Sequence, residues 1–258
     1  MSYDLTQLSG PEERPAIITI VAEAGLGKSS LGATMPAPVF IRTEDGLTAQ
    51  EHSHVTAFPM AASSDQVLEQ IQALCDQEHN FKTLVMDSVT ALNTLVEKEI
   101  VANDPKQPQG INQALGGYGN GHAATSERHR LIREWAGYLS TTKGMNVVFI
   151  AHADSETIDP PDSDSYTRYS IRINKKSIAH YVDNVDLVGF IKLQTFVSGG
   201  DKDAGVRAKA TTSGARIITA YPTPNHISKN RFGITADIPY DHGVNPFTPY
   251  VPFLQKES

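Results

Sequence analysis

The apolar run Ile17-Ile18-Thr19-Ile20-Val21 passes directly into Ala22-Glu23-Ala24-Gly25-Leu26-Gly27-Lys28-Ser29, and no other stretch of the chain restricts the fold as much. A short continuous apolar run reads as a strand buried on both faces. A helix is expected after the glycines, ending near Thr34 because Pro36 and Pro38 stop it. Strand, Gly-containing turn and helix in succession curl several backbone N–H groups around one point, which is what a phosphate chain requires. In such a loop the lysine reaches the β and γ phosphates and the following hydroxyl ligates Mg²⁺. Lys28 and Ser29 take those roles, with Gly25 and Gly27 shaping the turn. Ala22 stands where the strict pattern has Gly, and a small residue still fits. The residues expected to bind a nucleoside triphosphate are Ala22, Glu23, Ala24, Gly25, Leu26, Gly27, Lys28, Ser29 and Ser30.

Strands and helices alternate beyond the loop. Val39-Phe40-Ile41, Thr83-Leu84-Val85-Met86 and Asn146-Val147-Val148-Phe149-Ile150-Ala151 read as buried strands. Helices are expected at 64–78, capped by Ser64, from Ser88 onward, and at 124–142, the last burying Leu131, Ile132, Trp135 and Leu139. Further strands are expected at 185–193, 207–211 and 216–219. Residues 103–121 and 154–164 read as long polar loops, and the Pro-rich tail after Gly243 as irregular. This order predicts an α/β fold with a mainly parallel central sheet flanked by helices. The division expected is 1–14 as an N-terminal segment open to an oligomerisation role, 15–240 as the core and 241–258 as the tail.

Three strand ends carry candidate chemistry. Asp87 closes the strand Leu84-Val85-Met86, where a carboxylate can hold Mg²⁺ through water. Glu44 lies just past Phe40-Ile41-Arg42-Thr43, on a strand expected beside the loop strand, where it can orient or deprotonate an attacking water. Asp45 competes for that role. His152 ends the fourth strand and is placed to sense a γ-phosphate. The other histidines read as surface residues; His52 and His54 alone do not make a metal site.

Charge is uneven. The 258 residues carry a net charge of -7, yet residues 166–231 hold eleven Lys or Arg against four Asp. A basic segment on an acidic body suits one face that meets phosphates. Cys75 is the single cysteine, and no apolar run approaches the roughly 20 residues a membrane helix needs. A cytoplasmic protein without a membrane partner is expected.

These pieces, in this order, resemble the RecA-like ATPase core. Phe40-Ile41-Arg42-Thr43-Glu44-Asp45-Gly46 resembles the segment holding that family's catalytic glutamate. Leu84-Val85-Met86-Asp87-Ser88 resembles its metal-associated strand, and Val147 to His152 its nucleotide-sensing strand. Lys229-Asn230-Arg231-Phe232-Gly233 is similar to the KNRFG motif of RadA-type proteins, and the whole looks closest to phage-encoded members that include single-strand annealing recombinases. The resemblance implies that Lys229 and Arg231 reach a neighbour's nucleotide across a subunit interface as catalytic cations. It implies single-stranded DNA on the loops at about 103–127 and 153–180, with Arg168, Arg172, Lys175 and Lys176 as contacts. It also implies a ring or filament of like subunits, ATP and Mg²⁺ as ligands, a single-strand binding protein as a possible companion, and host cytoplasm as the setting. A nucleotide-responsive assembly factor without turnover and a small-molecule kinase are the competing readings.

Overall fold

The structure is a computed structural model that describes residue 10 and residues 13–48, 52–198 and 209–255. The expected N-terminal segment lies almost wholly outside these residues, as do positions 207 and 208 of an expected strand.

In chain order the elements are β1 (Ile17–Ala22), α1 (Lys28–Ala33), β2 (Pro38–Arg42), β3 (Thr56–Ala57), α2 (Ser64–Asp76), β4 (Thr83–Asp87) and α3 (Val89–Asn103). They continue with α4 (Asn120–Lys143), β5 (Asn146–Ile158), β6 (Tyr166–Ile171), β7 (Leu187–Ser198), β8 (Lys209–Thr219), β9 (Lys229–Asn230) and β10 (Ile238–Pro239). The sheet runs β10-β8-β7-β1-β5-β4-β2-β3, with β6 paired to β5 and β9 to β7. Every pairing from β7 through β3 is parallel; β8, β10, β6 and β9 join antiparallel. The fold is of mixed α/β type, with a central, mostly parallel sheet flanked by helices.

Side chains alternate across a strand, so each central strand feeds both faces of the sheet. Ile17 and Val21 of β1, with Leu84, Met86, Val147 and Phe149, pack under α2, α3 and α4. Ile18 and Ile20, with Phe40, Val85, Val148 and Ile150, pack under α1 and the C-terminal segment. There Phe247, Val251 and Leu254 are at most 1% exposed. The irregular tail therefore covers a sheet face where a helix could otherwise lie.

Four expectations need correction. The fourth strand does not stop at His152: β5 runs on to Ile158 and pairs antiparallel with β6, Glu156 opposite Arg168. The expected polar loop is thus a β-hairpin. The strands expected at 207–211 and 216–219 are one strand, β8, which crosses Gly214 at φ 78°. Ser63, not Ser64, caps α2, accepting from the Gln66 N–H at 3.1 Å. Ser64 instead donates its hydroxyl to Glu99 at 2.5 Å and accepts from Arg128 at 2.8 Å. In α4, Ile132 and Leu139 are buried while Leu131 and Trp135 are only partly so.

The histidines also depart from expectation, because His52, His129 and His226 are buried. His129 is fully enclosed in α4 with Nδ1 2.7 Å from the Tyr181 hydroxyl, and burial pushes its pKa down from 6.5 to about 3. Between these values the unfolded chain holds a proton that the folded chain cannot. The contribution to stability is therefore complete above pH 6.5 and is lost as pH falls toward 3. His129→Gln should flatten the fall of the urea midpoint across that window.

Between α3 and α4 the chain is ordered around Asp104, whose carboxylate accepts from the Lys106 N–H at 2.9 Å and the Leu115 N–H at 2.6 Å. From Leu115 to Gly119 five consecutive residues have positive φ, between 51° and 86°. Tyr118, one of them, is fully exposed.

Candidate nucleotide site

The carboxyl ends of parallel strands line a crevice wherever the loops part, and ligands of open α/β sheets bind there. In this chain the ends of β1, β2, β4 and β5 surround a cavity of about 530 Å³, lined by Gly25, Gly27, Lys28, Ser29, Ser30, Glu44, Asp87 and His152 among others.

The loop between β1 and α1 owes its shape to Gly25 at φ 79° and Gly27 at φ 86°, a region that costs a side-chain-bearing residue energy. Ala22 is buried beneath it, while Glu23 and Ala24 are exposed and Leu26 is partly covered. Lys28 is 7% exposed. Its ammonium donates to the carbonyls of Ala22 at 3.2 Å and Glu23 at 2.8 Å, and lies 3.5 Å from His152 Nδ1. Burial lowers its pKa, opposed by the charges of Asp87 and Glu44.

Ser29 donates its hydroxyl to Asp87 Oδ2 at 2.6 Å. Desolvation pushes the Asp87 pKa up, with the Ser29 hydrogen bond working against it. Gly46 passes close by: a Cβ there would come within 3.1 Å of Asp87 Oδ2 and 3.3 Å of Ser29 Oγ. A hydroxyl, one carboxylate and a gap kept clear by a glycine suit Mg²⁺, which takes few protein oxygens and retains water and phosphate ligands. A carboxyl whose pKa is raised by folding costs stability that grows as pH rises above its unfolded value. Asp87→Asn should therefore raise the melting temperature of the free protein. The same variant should lose at least about 100-fold in Mg²⁺-dependent turnover. Thermal unfolding and a hydrolysis assay on one preparation check both.

Glu44 reaches the cavity by a route the sequence does not show. It was expected on a strand beside β1, but β2 is separated from β1 by β4 and β5. The end of β2 is tied instead to the end of β4: Thr43 N–H donates to the Asp87 carbonyl at 2.9 Å, and Thr43 Oγ1 donates to the Ser88 carbonyl at 2.7 Å. Glu44 Oε1 then lies 3.2 Å from His152 Nε2. That hydrogen bond is the main cause holding the Glu44 carboxyl below its usual range, with burial opposing it. His152 thus stands between Lys28 and Glu44. The Thr90 hydroxyl accepts from its backbone N–H at 3.0 Å, and its carbonyl accepts from Arg172 N–H at 2.9 Å. Asp45 lines the same cavity.

Arg216 on β8 and Tyr240 after β10 were not anticipated. Tyr240 donates its hydroxyl to the Gly27 carbonyl at 2.7 Å, and Arg216 lies over the Tyr240 ring at 4.6 Å. A cavity-facing arginine in a stretch read only as strand left no local signal.

The remaining expected residues lie elsewhere. Lys229 and Arg231 flank the opposite end of the sheet: β9 pairs with the start of β7, and Lys229 donates to the carbonyls of Val182 and Asp183. Arg231 and Arg14 share the Asp186 carboxylate, at 3.2 and 2.5 Å. Neither Lys229 nor Arg231 enters the cavity of its own chain. The four cations expected on DNA make different contacts. Arg168 pairs with Glu156 at 2.9 Å across the hairpin. The charge of Arg172 acts on Lys28. Lys175 and Lys176 are exposed beside the 115–119 turn, where Lys176 donates to the Gly119 carbonyl at 3.4 Å.

Among the described residues no helix is long and apolar enough to cross a membrane. The AAA domain family matches residues 14–232 of the chain. No curated protein matches it.

Proposed function

The chain belongs to the AAA domain family, and from that premise we propose that it is a RecA-like ATPase that hydrolyses ATP and works on single-stranded DNA, promoting annealing or recombination. One observation carries the catalytic part: Lys28, His152 and Glu44 form a contiguous polar chain in the cavity that also holds the Ser29–Asp87 pair. The curled loop offers backbone N–H groups to the triphosphate, and Lys28 exchanges two loop carbonyls for phosphate oxygens. Ser29 and Asp87 would hold Mg²⁺, which supplies neutralisation of charge on the β and γ phosphates. Glu44, kept ionised by His152, accepts a proton from water as its oxygen attacks the γ phosphorus and ADP leaves. His152 sits at the point where β5 continues into the β5–β6 hairpin, so a change at the γ-phosphate reaches that hairpin directly.

Lys229 and Arg231 serve a neighbouring copy in this reading, since they face away from their own nucleotide cavity. The DNA contact is assigned to Lys175 and Lys176, with the exposed Tyr118 in the turn whose Gly119 carbonyl accepts from Lys176. Among the described residues neither lysine pairs with a carboxylate, and an exposed aromatic with exposed cations suits base stacking with phosphate contact. Fluorescence anisotropy with labelled oligothymidylate tests this. Replacing Lys175 and Lys176 together by Glu should weaken binding at least about tenfold and reduce its salt dependence. Unchanged affinity and salt slope would remove DNA from this surface.

A further inference from the structure

Arg216 lines the nucleotide cavity from β8, which lies across β1 in the sheet from β4 and β2, the strands that lead to Asp87 and Glu44. It sits near the middle of β8, where its carbonyl accepts from Tyr240 N–H at 2.9 Å, so the two residues are fixed side by side by the sheet. The guanidinium lies 4.6 Å from the Tyr240 ring centroid, within cation–π range. Tyr240 is 2% exposed, and burial pushes its pKa up to about 12, so the phenol stays protonated and donates to the Gly27 carbonyl. The platform is thereby bolted to the phosphate loop itself. Arg216 Nη1 comes within 2.6 Å of the point where a Cβ on Gly27 would stand, so the absence of a side chain at Gly27 is what admits it. Among the described residues no carboxylate lies within ion-pair reach of Arg216. An arginine is always charged and offers a planar fork of donors matched to phosphate oxygens.

We propose that Arg216 is a phosphate-binding residue acting in its own chain, engaging the phosphate chain of the bound nucleotide across Gly27. It complements Lys28: the lysine lies against the Ala22 and Glu23 carbonyls and the arginine against Gly27. This inference rests on the nucleotide-binding reading of the cavity. Tyr240 is a positioning residue that holds the guanidinium against the loop. Because β8 pairs with β7 along its length, the contact also ties the β7–β8 hairpin to nucleotide occupancy.

The experiment is a binding titration of a fluorescent ATP analogue and the matching ADP analogue, with Mg²⁺ and with EDTA, followed by displacement with inorganic tripolyphosphate. Arg216→Ala should weaken both nucleotides about 10- to 100-fold, the range for a lost charge-assisted contact. It should weaken tripolyphosphate by a similar factor, and the loss should persist in EDTA. Arg216→Lys should recover part of the affinity, and Tyr240→Phe should lose a smaller part with the ring retained. Thermal unfolding of each free variant identifies a misfolded one, in which case Arg216→Lys and Tyr240→Phe carry the test. Wild-type affinity in folded Arg216→Ala, with binding lost in Lys28→Ala, would overturn this inference and leave the nucleotide site standing. Weaker nucleotide binding with unchanged tripolyphosphate displacement would overturn the phosphate assignment in favour of the base. Absence of nucleotide binding by the wild-type chain would overturn both.

Discussion

Glu44→Gln is expected to bind ATP within about threefold of wild type and to lose turnover by about 10²- to 10⁴-fold, the usual worth of a general base. The amide oxygen can still face His152 Nε2, so the 3.2 Å contact that positions the side chain need not be lost. What disappears is the capacity to take a proton. The matching Asp45→Asn change should leave turnover largely intact, because Asp45 lines the cavity without a bond to His152. Rapid-quench measurement of a single turnover, with affinity read separately, checks the separation of binding from chemistry. Equal losses in the two variants would move the base away from Glu44.

Lys28→Ala should weaken ATP and ADP by at least about 100-fold while leaving the fold intact. In the free chain Lys28 is a buried ammonium parked on the carbonyls of Ala22 and Glu23, its pKa lowered by desolvation. Removing it takes away a costly buried charge, so the free protein should not lose stability beyond about 1 kcal/mol. Isothermal titration with ATP and a urea unfolding curve on the same variant check the two halves. Retained affinity would mean that backbone N–H groups and Arg216 hold the phosphates without it.

The loop and its strand were legible because their residue types leave little freedom. A continuous apolar run has to be buried, and Gly25 and Gly27 occupy backbone conformations that other residues avoid. Helices α2 and α3 were readable from their apolar stripes, with Val67, Leu68, Ile71, Leu74, Leu92 and Val96 buried and Cys75, Leu95 and Ile100 half-buried. Strand order was not legible. Periodicity shows that Phe40 and Ile41 are buried but not that two strands stand between them and β1; the bridge from Thr43 to Asp87 and Ser88 has no local pattern.

The β5–β6 hairpin escaped for another reason. Beyond Ala151 no residue of β5 is fully buried, and the sequence His152-Ala153-Asp154-Ser155-Glu156-Thr157-Ile158 lacks the apolar and polar alternation that marks a half-buried strand. The tail is similar: Phe247, Val251 and Leu254 are core residues set among prolines, with no period to betray them. Arg216 and Tyr240 meet Gly27 across about two hundred residues of chain, and their joint position depends on β8 and β10 pairing. Such a contact is decided by the tertiary fold and leaves no mark on the neighbouring sequence.

The most direct test of this account is ATP hydrolysis by the purified chain in Mg²⁺, with and without single-stranded DNA, using Lys28→Ala as the blank. Hydrolysis that DNA stimulates and that the blank lacks is the predicted result. A folded wild-type chain with no hydrolysis above the blank under either condition would contradict it.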